Sequence, residues 1–130
     1  MRRRLDGSAA LDPARGSRTT AADSVRMLRA IWRDEAGPAQ ACAAVRLGMR
    51  QQLTRHRIAT GFPPEVSVAA KSGGLMGVVR NEVGVVTYPD GASYAVAVFT
   101  RTDPAHRADP RFVDAAIGTV AAEAVGRLRA

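Results

Sequence analysis

The hexapeptide Tyr94-Ala95-Val96-Ala97-Val98-Phe99 is apolar at odd and even positions alike. A strand with one face in water alternates apolar and polar residues, so a run like this one demands a sheet covered on both sides. That requirement sets the fold class as α+β, a sheet held between helical layers. Two more apolar stretches, Ser67–Lys71 and Val78–Tyr88, read as strands. Pro89-Asp90-Gly91 turns the second into the third, so Ser93–Thr100 closes an antiparallel hairpin. The expectation is an antiparallel sheet of three strands over residues 67–100, flanked by helices.

The covering helices announce themselves by their ends. Residues 1–18 are polar and rich in Gly, Pro and Arg, and read as a loop-rich segment with a short helical turn at Arg2–Asp6. Thr20 followed by Asp23 forms a capping box with Asp in the acidic role, and Val25, Leu28, Ile31 and Trp32 then recur at helical spacing. This predicts a helix over 20–34. Gly37-Pro38 ends it and opens a second helix reaching Leu53, with Cys42, Val45, Met49 and Leu53 as the buried stripe and Arg46, Arg50 and Gln51 outward. Together they make an αα-hairpin over 20–54. Pro63-Pro64 closes the helical region because neither residue donates a backbone hydrogen bond. Asp109-Pro110 caps a last helix over 110–128, whose apolar stripe reads Phe112, Val113, Ile117, Val120, Ala124 and Leu128.

Charge and cysteine content exclude several classes. The 130 residues carry a net charge of +7, with Lys71 the single lysine among 19 lysines and arginines. The arginines are scattered along the chain rather than clustered with aromatics, which argues against a nucleic-acid surface. Cys42 is the only cysteine, so no disulfide within the chain and no thiolate metal site can form. Met1-Arg2-Arg3-Arg4 resembles the start of an export signal, but Leu5-Asp6-Gly7-Ser8 stands where an apolar segment should be. The expectation is no export signal, no membrane span and a cytoplasmic location. His56 and His106 lie fifty residues apart and read as surface residues, while Asp103, Asp109 and Asp114 read as turn, cap and solvated helix positions. No metal and no cofactor is expected.

The chemistry-bearing candidate is Val68-Ala69-Ala70-Lys71-Ser72-Gly73-Gly74. It sets an ammonium and a hydroxyl at a strand end beside two residues without side chains. A carboxylate there meets a point charge and a hydrogen-bond donor together. The glycines let a ligand backbone approach the strand, and an exposed amide can donate to a developing oxyanion.

The order of motifs along the chain adds a family to this reading. Arg18-Thr19-Thr20-Ala21-Ala22-Asp23, the αα-hairpin, Gly61-Phe62-Pro63-Pro64, Lys71-Ser72-Gly73, Arg80-Asn81-Glu82-Val83-Gly84-Val85-Val86, Pro89-Asp90-Gly91, the strand to Phe99-Thr100 and a final helix follow in sequence. That order resembles the C-terminal half of the class A β-lactamase-like serine hydrolases, from about residue 15 onward. The resemblance implies a partial α/β/α fold of that type. It implies that Lys71, Ser72 and Gly73 bind the carboxylate of a β-lactam or peptidoglycan-like ligand, that Arg80 helps, and that the Gly74 amide is one of two oxyanion donors.

The family's nucleophile motif Ser-x-x-Lys does not occur: Ser8, Ser17, Ser24, Ser67, Ser72 and Ser93 all lack a lysine three residues on. Ser-Asp-Asn and Glu-x-x-x-Asn are also absent. In the family these elements lie further toward the N-terminus, so the resemblance implies a C-terminal portion that is inactive alone. A complementing N-terminal half, or self-association through the free edge of strand 93–100, is the partner it implies. A non-enzymatic binding or interaction module on the same scaffold is the alternative.

Overall fold

The computed structural model describes residues 12, 14–75, 78–103 and 108–130. The expected turn at Arg2–Asp6 and His106 lie outside them. In chain order the elements are α1 (Ala21–Trp32), α2 (Ala39–Arg50), a 3-10 turn (Ile58–Gly61), β1 (Ser67–Leu75), β2 (Val79–Thr87), β3 (Ser93–Arg101) and α3 (Pro110–Arg129).

The sheet has the order β1-β2-β3 and is antiparallel throughout, with Ser72 opposite Glu82 and Gly84 opposite Val96. Among the described residues β1 and β3 are its edges. The hairpin between β2 and β3 turns at Gly91, whose φ of 87° suits a residue without a Cβ. Asp90 braces the turn by accepting from the Ala92 amide at 2.9 Å.

Strand parity sorts the core into two layers. Val66, Val68, Ala70, Val86, Val96 and Val98 pack on Ile58 and on Ile117, Ala121 and Val125 of α3. Ala69 and Val85 pack on Leu28 and Met49 from α1 and α2, with Trp32, Val83 and Ala95 at the margin. The sheet is thus covered on both faces, as its apolar third strand requires, and the fold is α+β, with three helices and a three-stranded antiparallel sheet among the described residues. Each fully buried Val or Ile contributes about 1.5–3 kcal/mol.

The helix ends follow the sequence closely. Thr20 caps α1, its hydroxyl oxygen accepting from the Asp23 amide at 3.0 Å while its hydroxyl donates to the Asp23 carboxylate. Asp109 caps α3 through the Arg111 amide, with Pro110 at the first helical position. α2 begins after Pro38, which is the cap itself rather than the first helical residue.

Helix faces depart from expectation in two places. In α2 only Cys42 and Met49 are buried; Val45 is exposed, and Leu53, beyond the helix end, is 97% exposed. Arg46, expected outward, instead reaches back to cap α1, donating to the Ile31 carbonyl at 2.6 Å and pairing with Asp34. In α3 the buried stripe is Asp114, Ile117, Gly118, Ala121 and Val125, whereas Phe112, Val120 and Leu128 are exposed and Ala124 faces out. The packed face is the one that carries Gly118 and Ala121 between Ile117 and Val125.

The reason lies in Gly61 and Gly118, where the 3-10 turn meets α3 backbone to backbone. A Cβ on Gly118 would stand 2.2 Å from Thr60 Oγ1 and 2.8 Å from the Arg57 carbonyl oxygen. A Cβ on Gly61 would stand 2.0 Å from the Gly118 carbonyl oxygen. This close approach sets α3 against residues 57–61 and brings Arg57 and Asp114 together.

Candidate functional site

β1 continues past Lys71 to Leu75, so Lys71, Ser72, Gly73 and Gly74 all lie within the strand, at the end away from the aromatic hairpin turn. Lys71 belongs to the parity of Ala69, on the α1/α2 side, and Ser72 to the parity of Ala70, on the α3 side. The Lys71 ammonium is exposed and donates to the Ser72 carbonyl at 2.7 Å. Gly73 and Gly74 are exposed, and a Cβ on Gly73 would meet nothing within 4 Å. A ligand can therefore reach the backbone here.

Behind this open edge stands a polar layer unlike the rest of the core. Arg57 is buried, and its Nη1 donates to the carbonyls of Gly73 at 2.8 Å and Asn81 at 2.7 Å, stapling the ends of β1 and β2. Its Nε donates to Asp114 Oδ1 at 2.9 Å. Arg80 grips the same carboxylate in bidentate fashion, Nε to Oδ1 and Nη2 to Oδ2, both at 2.9 Å. His56 Nε2 lies 3.3 Å from Asp114 Oδ2. Burial pushes the Asp114 carboxyl up, but hydrogen bonds from Arg80 and then Arg57 outweigh it and hold the group below the ordinary carboxylate range. Arg80 is correspondingly raised, chiefly by its hydrogen bond to Asp114.

A second carboxylate, Glu82, is only 2% exposed. Its Oε2 accepts from the Ile58 amide at 2.6 Å and its Oε1 from Gln52 Nε2 at 3.1 Å. Gln52 Nε2 also donates to the Thr54 carbonyl, while its Oε1 accepts from the Ser72 amide at 2.7 Å. Among the described residues no buried side-chain nitrogen or oxygen lacks a partner, so the layer is a complete network.

Lys71, Ser72, Gly73 and Gly74 thus follow one another on β1, and Arg80 lies opposite Gly74 on β2, on the face of Ser72 and not that of Lys71, with its Nε and Nη2 both given to Asp114. Asp114 is not a solvated helix position. It is buried, because two arginines and a histidine converge on it. His56 is half-exposed and belongs to the same cluster rather than to the plain surface. Arg57, Glu82 and Gln52 do not stand out in the sequence. Parity offers a signal for one of them: Arg80, Glu82, Gly84 and Val86 share a strand face, so Glu82 faces the α3 layer together with the buried Val86. Among the described residues no group of three or more His, Cys, Asp or Glu is placed to hold a metal ion, and no helix is long and apolar enough to cross a membrane.

The model of the β-lactamase enzyme family matches residues 1–128. A β-lactamase regulatory protein, BlaB, from Streptomyces cacaoi is 32% identical over 130 residues, covering 92% of this chain and 41% of that protein. Among solved structures, a β-lactamase from Sphaerobacter thermophilus superposes with a TM-score of 0.67 at 28% identity, covering 81% of this chain and 38% of its own. The TLA-1 extended-spectrum β-lactamase superposes with a TM-score of 0.74 at 20% identity, covering 85% and 41%, a likeness of fold. The chain spans about two-fifths of the length of these relatives.

Proposed function

Because the chain belongs to the β-lactamase enzyme family, we propose that its open β1 edge is the carboxylate-binding wall of an acyl-transfer site for β-lactam or peptidoglycan-like ligands. One observation carries this reading. Lys71, Ser72 and Gly74 share the exposed end of an edge strand that Arg57 braces from behind. Lys71 supplies the ammonium and Ser72 the hydroxyl for the ligand carboxylate, and the Gly74 amide is one donor to the oxyanion. Arg80 adds positive charge behind the strand. Ser-x-x-Lys does not occur in the 130 residues, so they bind such a ligand without acylation.

In a whole enzyme of this kind the serine-bearing portion would seat on the free edge of β3 and on the exposed Phe112 and Val120 of α3. Loss of the nucleophile costs such an enzyme about six powers of ten in rate. The chain alone is expected to turn over nitrocefin no faster than buffer, and to gain activity when mixed with a polypeptide supplying the Ser-x-x-Lys portion. Failure of every such mixture, with benzylpenicillin binding intact, would favour a second reading, a binding module that senses a β-lactam. The name of the Streptomyces cacaoi relative, a β-lactamase regulatory protein, supports that second reading.

A further inference from the structure

We propose that Gln52 is a positioning residue of this site, one that closes the edge of β1 at Ser72 and leaves it open to ligand at Gly74. This rests on the carboxylate-site reading above. In an antiparallel ladder, successive amides point alternately toward and away from the partner strand. The Ser72 amide points away from β2 and is taken by Gln52 Oε1 at 2.7 Å. The Ser72 carbonyl, on the same free edge, is taken by the Lys71 ammonium at 2.7 Å. Both backbone groups that a strand-like ligand could use at Ser72 are therefore occupied by the chain itself.

Two residues on, the Gly74 amide points to the same free edge by the same alternation. The ligand's register on β1 is thereby set: it pairs at Gly74 and meets Ser72 only through the hydroxyl. Thr54 Oγ1, 3.4 Å from Ser72 Oγ, flanks that hydroxyl from the segment that carries Gln52.

Gln52 can do this because it is itself held. It follows the end of α2, in a segment whose neighbours Leu53 and Thr54 are exposed, and a glutamine there would ordinarily sample several rotamers. Its amide nitrogen is anchored on Glu82, whose other oxygen holds the Ile58 amide at 2.6 Å. The buried carboxylate thus orients the amide so that its oxygen, and not its nitrogen, faces Ser72. Glu82 acts on the ligand site through Gln52 and touches no ligand.

The test uses the whole chain and amide hydrogen exchange followed by NMR. In the wild type the Ser72 amide should exchange slowly although it lies on the outer edge of an edge strand, whereas the Gly74 amide should exchange fast. Rapid exchange at Ser72 would overturn the proposal without recourse to any variant. Gln52→Met keeps length and packing but offers no acceptor. It should speed exchange at Ser72 about tenfold and weaken benzylpenicillin binding by a similar factor. Glu82→Gln should move both readouts in the same direction by less.

A residue with only a structural role would lower the thermal midpoint and leave the contrast between Ser72 and Gly74 in place. That outcome, or unchanged benzylpenicillin affinity in Gln52→Met, counts against the proposal. Absence of benzylpenicillin binding by the wild type would sink the reading of the site instead, and exchange at Ser72 would still show whether Gln52 holds the edge.

Discussion

The two ends of the sheet are built from opposite materials. At the hairpin end Phe62, Tyr88 and Tyr94 meet edge to face, with ring centroids 6.4 and 6.1 Å apart, and Arg129 lies 3.8 Å over the Tyr88 ring. At the other end Arg57, Arg80, Asp114, Glu82 and Gln52 form a hydrogen-bonded layer beneath an edge that two glycines leave open. An apolar end tolerates small adjustments, because dispersion and burial are non-directional. A polar layer does not, because each group removed leaves a partner without a hydrogen bond. The sheet is thus merely held at one end and aimed at the other: fixing the peptide planes of Ser72 and Gly73 requires directional bonds, and those bonds come from Gln52 and Arg57.

The sharpest way to break this contrast is Asp114→Ala, which leaves Arg57 and Arg80 facing each other without their carboxylate. The expected loss is about 3–5 kcal/mol, read by urea denaturation. A result near zero would mean that the cluster contributes nothing. Next comes Gly118→Ala, whose Cβ would press on Thr60 Oγ1 and the Arg57 carbonyl. Overpacking of this kind costs about 1–3 kcal/mol, and it should loosen the polar end more than the aromatic one. Val86→Ala, at a fully buried site in the apolar layer, should cost about 2 kcal/mol and leave ligand binding at Lys71 untouched.

Acid should also separate the two ends. The folded Asp114 carboxyl lies below its unfolded value, so its contribution is present above an unfolded pKa of about 3.9 and is lost as pH falls through the lower folded value. Stability of the wild type should therefore decline below about pH 4, and less steeply in Asp114→Asn. Asp90 and Asp109 are lowered too, by Arg129 and by the Arg111 amide respectively, but both remain in the variant and cancel from the difference. Smallest of all should be Arg129→Ala, which removes the contact over Tyr88 and the pair with Asp90 at 2.9 Å on the surface. Its effect on the thermal midpoint should be slight.

Elements with local signals are legible in the sequence. The Thr20 cap, the Asp109-Pro110 start and the Pro89-Asp90-Gly91 turn each depend on residues within four positions of one another. The ammonium, hydroxyl and glycines of β1 were legible for the same reason. Arg57 and Asp114 were not, since their meaning arises only when segments 57 residues apart meet. Helix faces misled in α3: Phe112, Val120 and Leu128 are apolar yet exposed, because the Gly61–Gly118 approach decides which side of the helix packs.

The proposed recognition of a carboxylate by Lys71 and Ser72 at the open end of β1 is open to amide chemical-shift mapping of the whole chain against benzylpenicillin. Saturable shifts are expected at Lys71, Ser72, Gly73, Gly74 and Arg80 that vanish in Lys71→Ala, with the thermal midpoint of that variant unchanged. Absence of saturable shifts at these residues, or shifts that persist undiminished in Lys71→Ala, would contradict it.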